Sequence, residues 1–369
     1  MDNVSSRLLA WYARARRALP WRRTRDPYRI WVAEIMLQQT RAAAAVPYYR
    51  KFLNRFPDVA ALASARPSQV LACWSGLGYY ARARNLHRAA RLIRRNGAFP
   101  RDYAGWRRLP GVGEYTAAAV ASIAFNQPHA VLDGNVVRVL ARLSGEPGNV
   151  AASATRDRLR ELAERLLDRR RPGDFNQALM ELGAIVCLPR APRCAVCPLQ
   201  AACRAYQEGR VEELPVRSRA ARQMRVEQTL LIIERRGTLL LWQREDKSSR
   251  LASFWELPRA DQLPAATLGD PIGRFHHAIT NHLYVFDVAV ARLTRAPAGF
   301  RWMARSRLAH CPLSTASRKA LALCEDQLED QATSVAGAGP GRRRSRRGPH
   351  PGRRRTAGRP SALPVAGLR

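Results

Sequence analysis

Two carboxylates and four thiols stand in settings that suit chemistry. Glu34 lies inside Ile30-Trp31-Val32-Ala33-Glu34-Ile35-Met36-Leu37, an otherwise apolar run. An acid there either faces outward between core positions or occupies a poorly solvated pocket. Burial disfavours the carboxylate and raises its pKa, which suits a general acid. Asp133 follows an apolar stretch in Val131-Leu132-Asp133-Gly134-Asn135 and precedes a predicted helix over Val136–Leu143. A plain N-cap is one reading of it, since Asp caps helices well. The pair permits a second reading. A glycosidic bond breaks through an oxocarbenium-like transition state, needing an acid at the leaving group and negative charge near the sugar. One carboxylate in an apolar setting and one in a polar, hydrogen-bonded setting meet both needs.

Cys187, Cys194, Cys197 and Cys203 are separated by six, two and five residues. Four thiolates from one short loop can close a tetrahedral site, which fits a [4Fe–4S] cluster or structural zinc. The remaining three, Cys73, Cys311 and Cys324, stand alone and read as small buried hydrophobes. An odd total with a tight group of four suits an intracellular metal site better than a disulfide framework.

Leu109-Pro110-Gly111-Val112-Gly113 separates a short helical stretch from a longer one, Glu114–Phe125. Glycines let backbone approach a ligand closely, and the N–H groups opening the next helix can hold a phosphate. Taken alone, such a Gly-x-Gly is also an ordinary turn.

The elements that must position these groups fall into two patterns. Residues 1–206 read as helical almost throughout, Ala-, Leu- and Arg-rich with short Gly/Pro breaks, and hold the cysteine loop 187–203. Helical sequence begins almost at once: Leu8, Trp11, Tyr12, Ala15 and Leu19 fall near one stripe, favouring a folded surface helix over a transit peptide. Residues 207–224 are polar and charged, a connector. Within 225–330 the pattern turns α+β: Thr229–Ile233 and Thr238–Trp242 flank Arg236-Gly237 as a hairpin, Leu283–Val290 is a strand, and Ser314–Glu325 a final helix. From 331 to 369 the chain is Gly-, Pro-, Ser- and Arg-rich, with Arg342–Arg344, Arg346–Arg347 and Arg353–Arg355. It is expected to be disordered, either adding non-specific DNA affinity or a dispensable extension.

Lys and Arg outnumber Asp and Glu by 63 to 29, a formal net charge of +34, so a polyanionic partner is the natural inference. Nucleic acid comes first and an anionic membrane surface second. No stretch approaches the roughly 18 apolar residues of a spanning helix, which excludes an integral helical membrane protein.

Trp31-Val32-Ala33-Glu34-Ile35-Met36-Leu37-Gln38-Gln39-Thr40, then Gly76-Leu77-Gly78-Tyr79-Tyr80, the glycine hairpin, Leu132-Asp133-Gly134-Asn135-Val136 and the four cysteines occur in this order. The set resembles the MutY-type adenine DNA glycosylases of the helix-hairpin-helix superfamily, over roughly residues 5–330. The resemblance implies a multidomain chain: an all-α helix-hairpin-helix glycosylase domain with a [4Fe–4S] loop, then a Nudix-like α+β domain. It implies that Glu34 protonates adenine N7 and that Asp133 stabilises the sugar cation or forms a transient adduct. Asn135 would help hold them, with Tyr115 beside the sugar. Arg22, Leu37 and Glu181 match adenine-pocket positions. Gln38, Gln39 and Tyr79 match residues inserted into the duplex, with Gly111, Val112 and Gly113 on its backbone. Relatives that also cut the strand carry lysine where this chain has Tyr115, so base removal without strand cleavage is expected. Double-stranded DNA with an adenine mismatch is the implied partner, with a monomeric, cytoplasmic, nucleoid-associated protein.

The second domain resembles the family's Nudix-like module through Leu239-Leu240-Leu241-Trp242-Gln243-Arg244 and Phe254-Trp255-Glu256-Leu257-Pro258. The acid-rich metal-binding helix of Nudix hydrolases is absent, which argues against diphosphate hydrolysis. In the family this module reads 8-oxoguanine opposite adenine through a His-x-Phe-Ser-His loop. Here His277-Ala278-Ile279-Thr280-Asn281 stands in its place: Thr280 keeps a hydroxyl, and Asn281 replaces the imidazole unless His282 substitutes by a one-residue shift. Two rival readings remain, an inert DNA-binding protein and an endonuclease III-like glycosylase for oxidised pyrimidines. The two carboxylates argue against the first and Tyr115 against the second.

Overall fold

A computed structural model describes residues 2–218, 224–244, 254–279 and 281–336. The helical region comprises α1 (Asp2–Ala15), α2 (Pro27–Leu37), α3 (Ala42–Arg55), α4 (Val59–Ser64), α5 (Pro67–Trp74), α6 (Ala81–Arg95), α7 (Tyr103–Arg107), α8 (Glu114–Phe125), α9 (Gly134–Ser144), α10 (Ser153–Leu166), α11 (Pro172–Ile185) and α12 (Arg204–Gln207). Local chemistry sets the ends that matter for the site. Asp26 caps α2 by accepting from Tyr28 N–H, with Pro27 in the first turn, where its missing N–H costs nothing. Asp133 caps α9, and α8 stops at Asn126 in the left-handed conformation. α2 and α8 are apolar on nearly every side and buried beyond their first residues, so Glu34 and Thr116 in their interiors are buried polar side chains. The N-terminal stripe is core: Leu8, Leu9 and Tyr12 are buried, with Trp11 and Leu19 packed against them.

The second region holds β1 (Met224–Ile232), β2 (Glu234–Arg235), β3 (Thr238–Gln243), β4 (Trp255–Glu256), β5 (Thr267–Ile279), β6 (His282–Arg292), β7 (Phe300–Ala304) and α13 (Thr315–Ala336). One sheet runs β1-β6-β5, with β1 parallel to β6; the other runs β2-β3-β4, with β7 also on β3. This corrects the expected hairpin. Glu234 and Arg235 pair back on β3 around Arg236-Gly237, and the Ile233 carbonyl accepts from Leu240 N–H, while Thr229–Ile232 leave for the other sheet and pair with β6. The turn itself stands as read, since both of its residues have positive φ, as a two-residue turn of this kind demands.

Two boundaries also shift. α13 continues to Ala336, past the predicted end at Glu325 and through positions 331–336 of the expected tail; residues 337–369 lie outside the described residues. The first half of the connector is pinned rather than free. Leu214 is buried and its carbonyl accepts from Arg142 Nε at 2.9 Å, so a polar, charged sequence is held by one buried guanidinium. Cys73 is buried and Cys311 and Cys324 are half-buried, as expected of small hydrophobes.

Residues Met1–Glu325 pack as one compact unit. Phe254, from the α+β region, is fully buried in the helical core, with its ring 4.0 Å from that of Tyr80. Ser75 Oγ donates to the Leu313 carbonyl at 2.8 Å, and Arg318 Nε donates to Ser75 Oγ at 2.8 Å. Tyr80 and Thr315 hydroxyls lie 3.0 Å apart. All these contacts fall on the two ends of the Ser75–Tyr80 segment.

Candidate active site

Glu34 projects from α2 and is 4% exposed. Burial pushes its carboxyl up to about 7; the Tyr115 hydroxyl and Arg22 oppose this, and the charge of Asp133 adds to it. Tyr115, in the first turn of α8, donates to Glu34 Oε2 at 2.6 Å and also lies 3.1 Å from Met180 Sδ. Burial, with both carboxylates nearby, holds the Tyr115 phenol well above its ordinary range, so it remains a donor.

Asp133 caps and faces the site at once. Its Oδ1 accepts from Val136 N–H at 2.7 Å, and its Oδ2 accepts from Asn135 Nδ2 at 3.1 Å. The expected polar setting is only half the account. Burial is the largest effect and raises the pKa, against the pull of these bonds and of Arg138. Arg138 fixes the amide: its Nη2 donates to Asn135 Oδ1 at 2.9 Å and to the Gly183 carbonyl at 2.7 Å. That leaves the Asn135 NH2 turned toward Asp133. Gly183 permits the approach of α11, since a Cβ there would come within 2.6 Å of Asn135 Cβ.

Glu181 on α11 is fully buried beneath two guanidinium groups. Arg22 reaches its oxygens at 2.9 and 2.7 Å, and Arg17 at 2.9 and 2.6 Å, with the Arg17 backbone N–H adding a bond at 2.9 Å. Burial raises its pKa, but the bonds from Arg22 and Arg17 outweigh it and bring the carboxyl down to about 2. Sequence reasoning missed Arg17; only the fold carries it to Glu181. Leu37 is half-buried at the end of α2.

The predicted duplex-contacting residues converge. Gln38, Gln39 and Tyr79 line one cavity of about 610 Å3 together with His277, Tyr284 and Phe286. Gln39 and Tyr79 have φ of 57° and 50°, strained for side chains of their size, and Tyr79 is 48% exposed. Arg82, unflagged in the sequence, holds both turns. It donates to the carbonyls of Ile35, Met36 and Gln38 and, at 3.2 Å, to that of Gly78, and it lies 5.2 Å from the Tyr79 ring centre. Gly111 has φ +77° and a Cβ there would meet Asn85 at 2.6 Å; Val112 is buried and Gly113 caps α8. The segment is thus a helix-hairpin-helix rather than an ordinary turn.

His277 lies in β5 opposite Tyr284, and burial and Lys319 lower its pKa. Thr280 lies outside the described residues. Asn281 is exposed and its carbonyl accepts from Met224 N–H at 2.9 Å. His282 stacks 6.0 Å from Tyr284 and, two residues before it, shares its strand face with Tyr284 and Phe286. His277, the cross-strand partner of Tyr284, brings a second imidazole to that face and lines the cavity.

Cys187, Cys194, Cys197 and Cys203 are all half-buried thiols. Burial, then the nearness of the other three, pushes the Cys197 thiol up to about 11. Arg142, 1% exposed, donates to Cys187 Sγ at 3.3 Å and to the Leu188 carbonyl at 2.7 Å. Arg142 thus sets a buried cation beside the cysteine loop. Among the described residues no three His, Cys, Asp or Glu stand close enough for one ion.

Residues 32–165 match the HhH-GPD superfamily of base excision DNA repair proteins. The chain is 35% identical to mouse adenine DNA glycosylase over 403 residues, covering 88% of this chain and 78% of that protein. It is 45% identical to the human adenine DNA glycosylase over 218 residues, covering 56% of this chain and 40% of that one. A solved thermostable thymine-DNA glycosylase superposes with a TM-score of 0.51 at 36% identity, covering 56% of this chain and 95% of that one. The chain belongs to the adenine DNA glycosylases of the helix-hairpin-helix base excision repair superfamily.

Proposed function

We propose that the protein removes adenine mispaired with 8-oxoguanine or guanine from double-stranded DNA, as a monomer, leaving an abasic site and an intact strand. The observation that carries this is the buried Glu34 carboxyl, raised to about 7 and held by Tyr115 at 2.6 Å. A group so tuned keeps a proton near neutrality and can give it to adenine N7. The C1′–N9 bond then breaks with its electrons leaving on the base. Asp133, with Asn135 orienting its carboxylate, balances the sugar cation. Water adds at C1′ and its proton returns to Glu34. Arg22, Leu37 and Glu181 form the adenine pocket, in which Glu181 stays ionised. Gln38, Gln39 and Tyr79 fill the gap left by the flipped base, which lowers the cost of unstacking. Gly111, Val112 and Gly113 receive the backbone phosphate.

Tyr115 stands where a strand-cleaving relative would need an amine, and a phenol cannot form a Schiff base. His277, Thr280 and Asn281, with His282, form the opposite-base reader in a Nudix-like module. Cys187, Cys194, Cys197 and Cys203 hold a [4Fe–4S] cluster, which would crosslink the loop and add local charge. Arg142 orients Cys187 toward it.

The test is a single-turnover assay on duplexes with adenine opposite 8-oxoguanine, adenine opposite guanine, A·T, and thymine opposite guanine. Abasic product from the first, with breaks only after alkali, is expected, and its rate relative to A·G measures reading of the oxidised base. Product only from thymine opposite guanine would replace adenine as the substrate, and direct strand breaks would overturn the role of Tyr115.

A further inference from the structure

A second cavity, about 370 Å3, opens behind the adenine pocket. Its wall carries five guanidinium groups, Arg16, Arg22, Arg23, Arg25 and Arg171, against one carboxylate, Asp174. Among the described residues Arg16, Arg23 and Arg25 form no ion pair, and Arg171 meets Asp168 only at 4.0 Å. Guanidinium groups gathered in a concavity repel one another and present fork-shaped donors matched to phosphate oxygens.

The position separates this cavity from the glycine hairpin. Its floor includes Ser122, Ile123 and Asn126, the far end of α8 from the glycine hairpin. The 12 residues of α8 span roughly 18 Å at 1.5 Å per residue, so the two ends face different regions. Asp174 and Gln177 stand on α11 two turns and one turn before Glu181. Arg22 joins the two sites: it lines this cavity, its side chain is 9% exposed, and it donates to both Glu181 oxygens.

We propose that this cavity binds a small phosphorylated anion, which competes with Glu181 for Arg22 and so slows base excision. The binding part stands independently of the substrate; the slowing rests on the glycosylase reading above. An oxyanion seated among these arginines shares the Arg22 guanidinium, loosening the pair that shapes the adenine pocket.

Pyrophosphate is the probe, titrated calorimetrically into the whole protein at ionic strength held constant with chloride. One saturable site is expected, weakened about tenfold or more in an Arg16→Ala/Arg25→Ala variant, the scale of a lost charge-assisted contact. Arg23→Gln, a milder change, should weaken it less, and circular dichroism checks that each variant folds. The site should persist with a mismatched duplex already bound, because it lies away from the hairpin. Single-turnover excision should fall saturably with the same midpoint in the wild type and not in the double variant, whose rate without pyrophosphate is unchanged. No saturable binding, or binding equal in the variants, overturns the site. Displacement of pyrophosphate by duplex or by a short single strand would make the cavity part of the nucleic-acid surface and also overturns it. Binding without slowing removes the competition for Arg22.

Discussion

The Tyr115 hydroxyl lies 2.6 Å from Glu34 Oε2, joining the first turn of α8, next to the glycine hairpin, to the buried acid of α2. One helix start thus carries both the glycine hairpin and the donor that tempers the acid. Burial alone would raise Glu34 further, and Tyr115 is the largest opposing effect.

Excision should therefore depend on pH through Glu34. The working form is protonated, so the single-turnover rate should fall as pH rises through about 7. Glu34→Gln should abolish excision while duplex binding persists. Stability should fall over the same range. A carboxyl raised in the fold stabilises below its unfolded value of about 4.5, and this is lost as pH rises through about 7. Above that, Glu34→Gln should be the more stable protein, by on the order of 2–3 kcal/mol. Urea unfolding at pH 5 and 8.5 tests this, and equal differences at both would refute the linkage.

Tyr115→Phe should shift the alkaline limb upward. Losing a hydrogen bond to the charged form, worth about 1.5–3 kcal/mol in other proteins, raises the pKa by about one unit or more. A profile that keeps its midpoint would mean the hydroxyl serves only packing.

The two arginines on Glu181 should differ in weight. Arg22→Ala removes the more buried partner and should cost on the order of 3 kcal/mol, the lower end for a broken buried pair, because Arg17 still holds the carboxylate. Arg17→Ala should cost about 1–2 kcal/mol, since its backbone N–H still bonds Glu181. Denaturant midpoints for both variants decide the order, and a larger loss for Arg17→Ala would reverse it.

Tyr80 should act on Tyr79 without touching DNA. Its ring packs on Phe254 and its hydroxyl meets Thr315, so contacts from the α+β region hold the strained Tyr79 backbone beside it. Tyr80→Phe should cost about 1 kcal/mol of stability, yet slow excision more than it weakens duplex binding. Equal losses in both, measured by single-turnover rate and equilibrium titration, would indicate a purely structural bond.

Cys197→Ser should lower bound iron and visible absorption together, and Arg142→Met should weaken iron retention more mildly. Full iron content in Cys197→Ser would remove that thiol from the ligand set.

Much of the site was legible in the chain because its signals are local. An acid in an apolar run, an Asp before a helix start, a Gly-x-Gly between helices and four spaced thiols each state their chemistry within a few residues. Helix order followed from the same short-range patterns, and the α8 prediction matched its observed bounds.

What the sequence could not decide depends on separation along the chain. Arg17 and Glu181 stand 164 residues apart, and Ser75 and Arg318 243 apart. No periodicity links such pairs, because tertiary packing chooses them. The hairpin was misjudged for the same reason: Thr229–Ile232 have ordinary strand chemistry, and only the sheet decides that their partner is β6. Arg82, Arg138 and Arg142 look like members of an abundant basic class. Only burial, which leaves each guanidinium with backbone carbonyls as partners, distinguishes them from the solvated arginines around them.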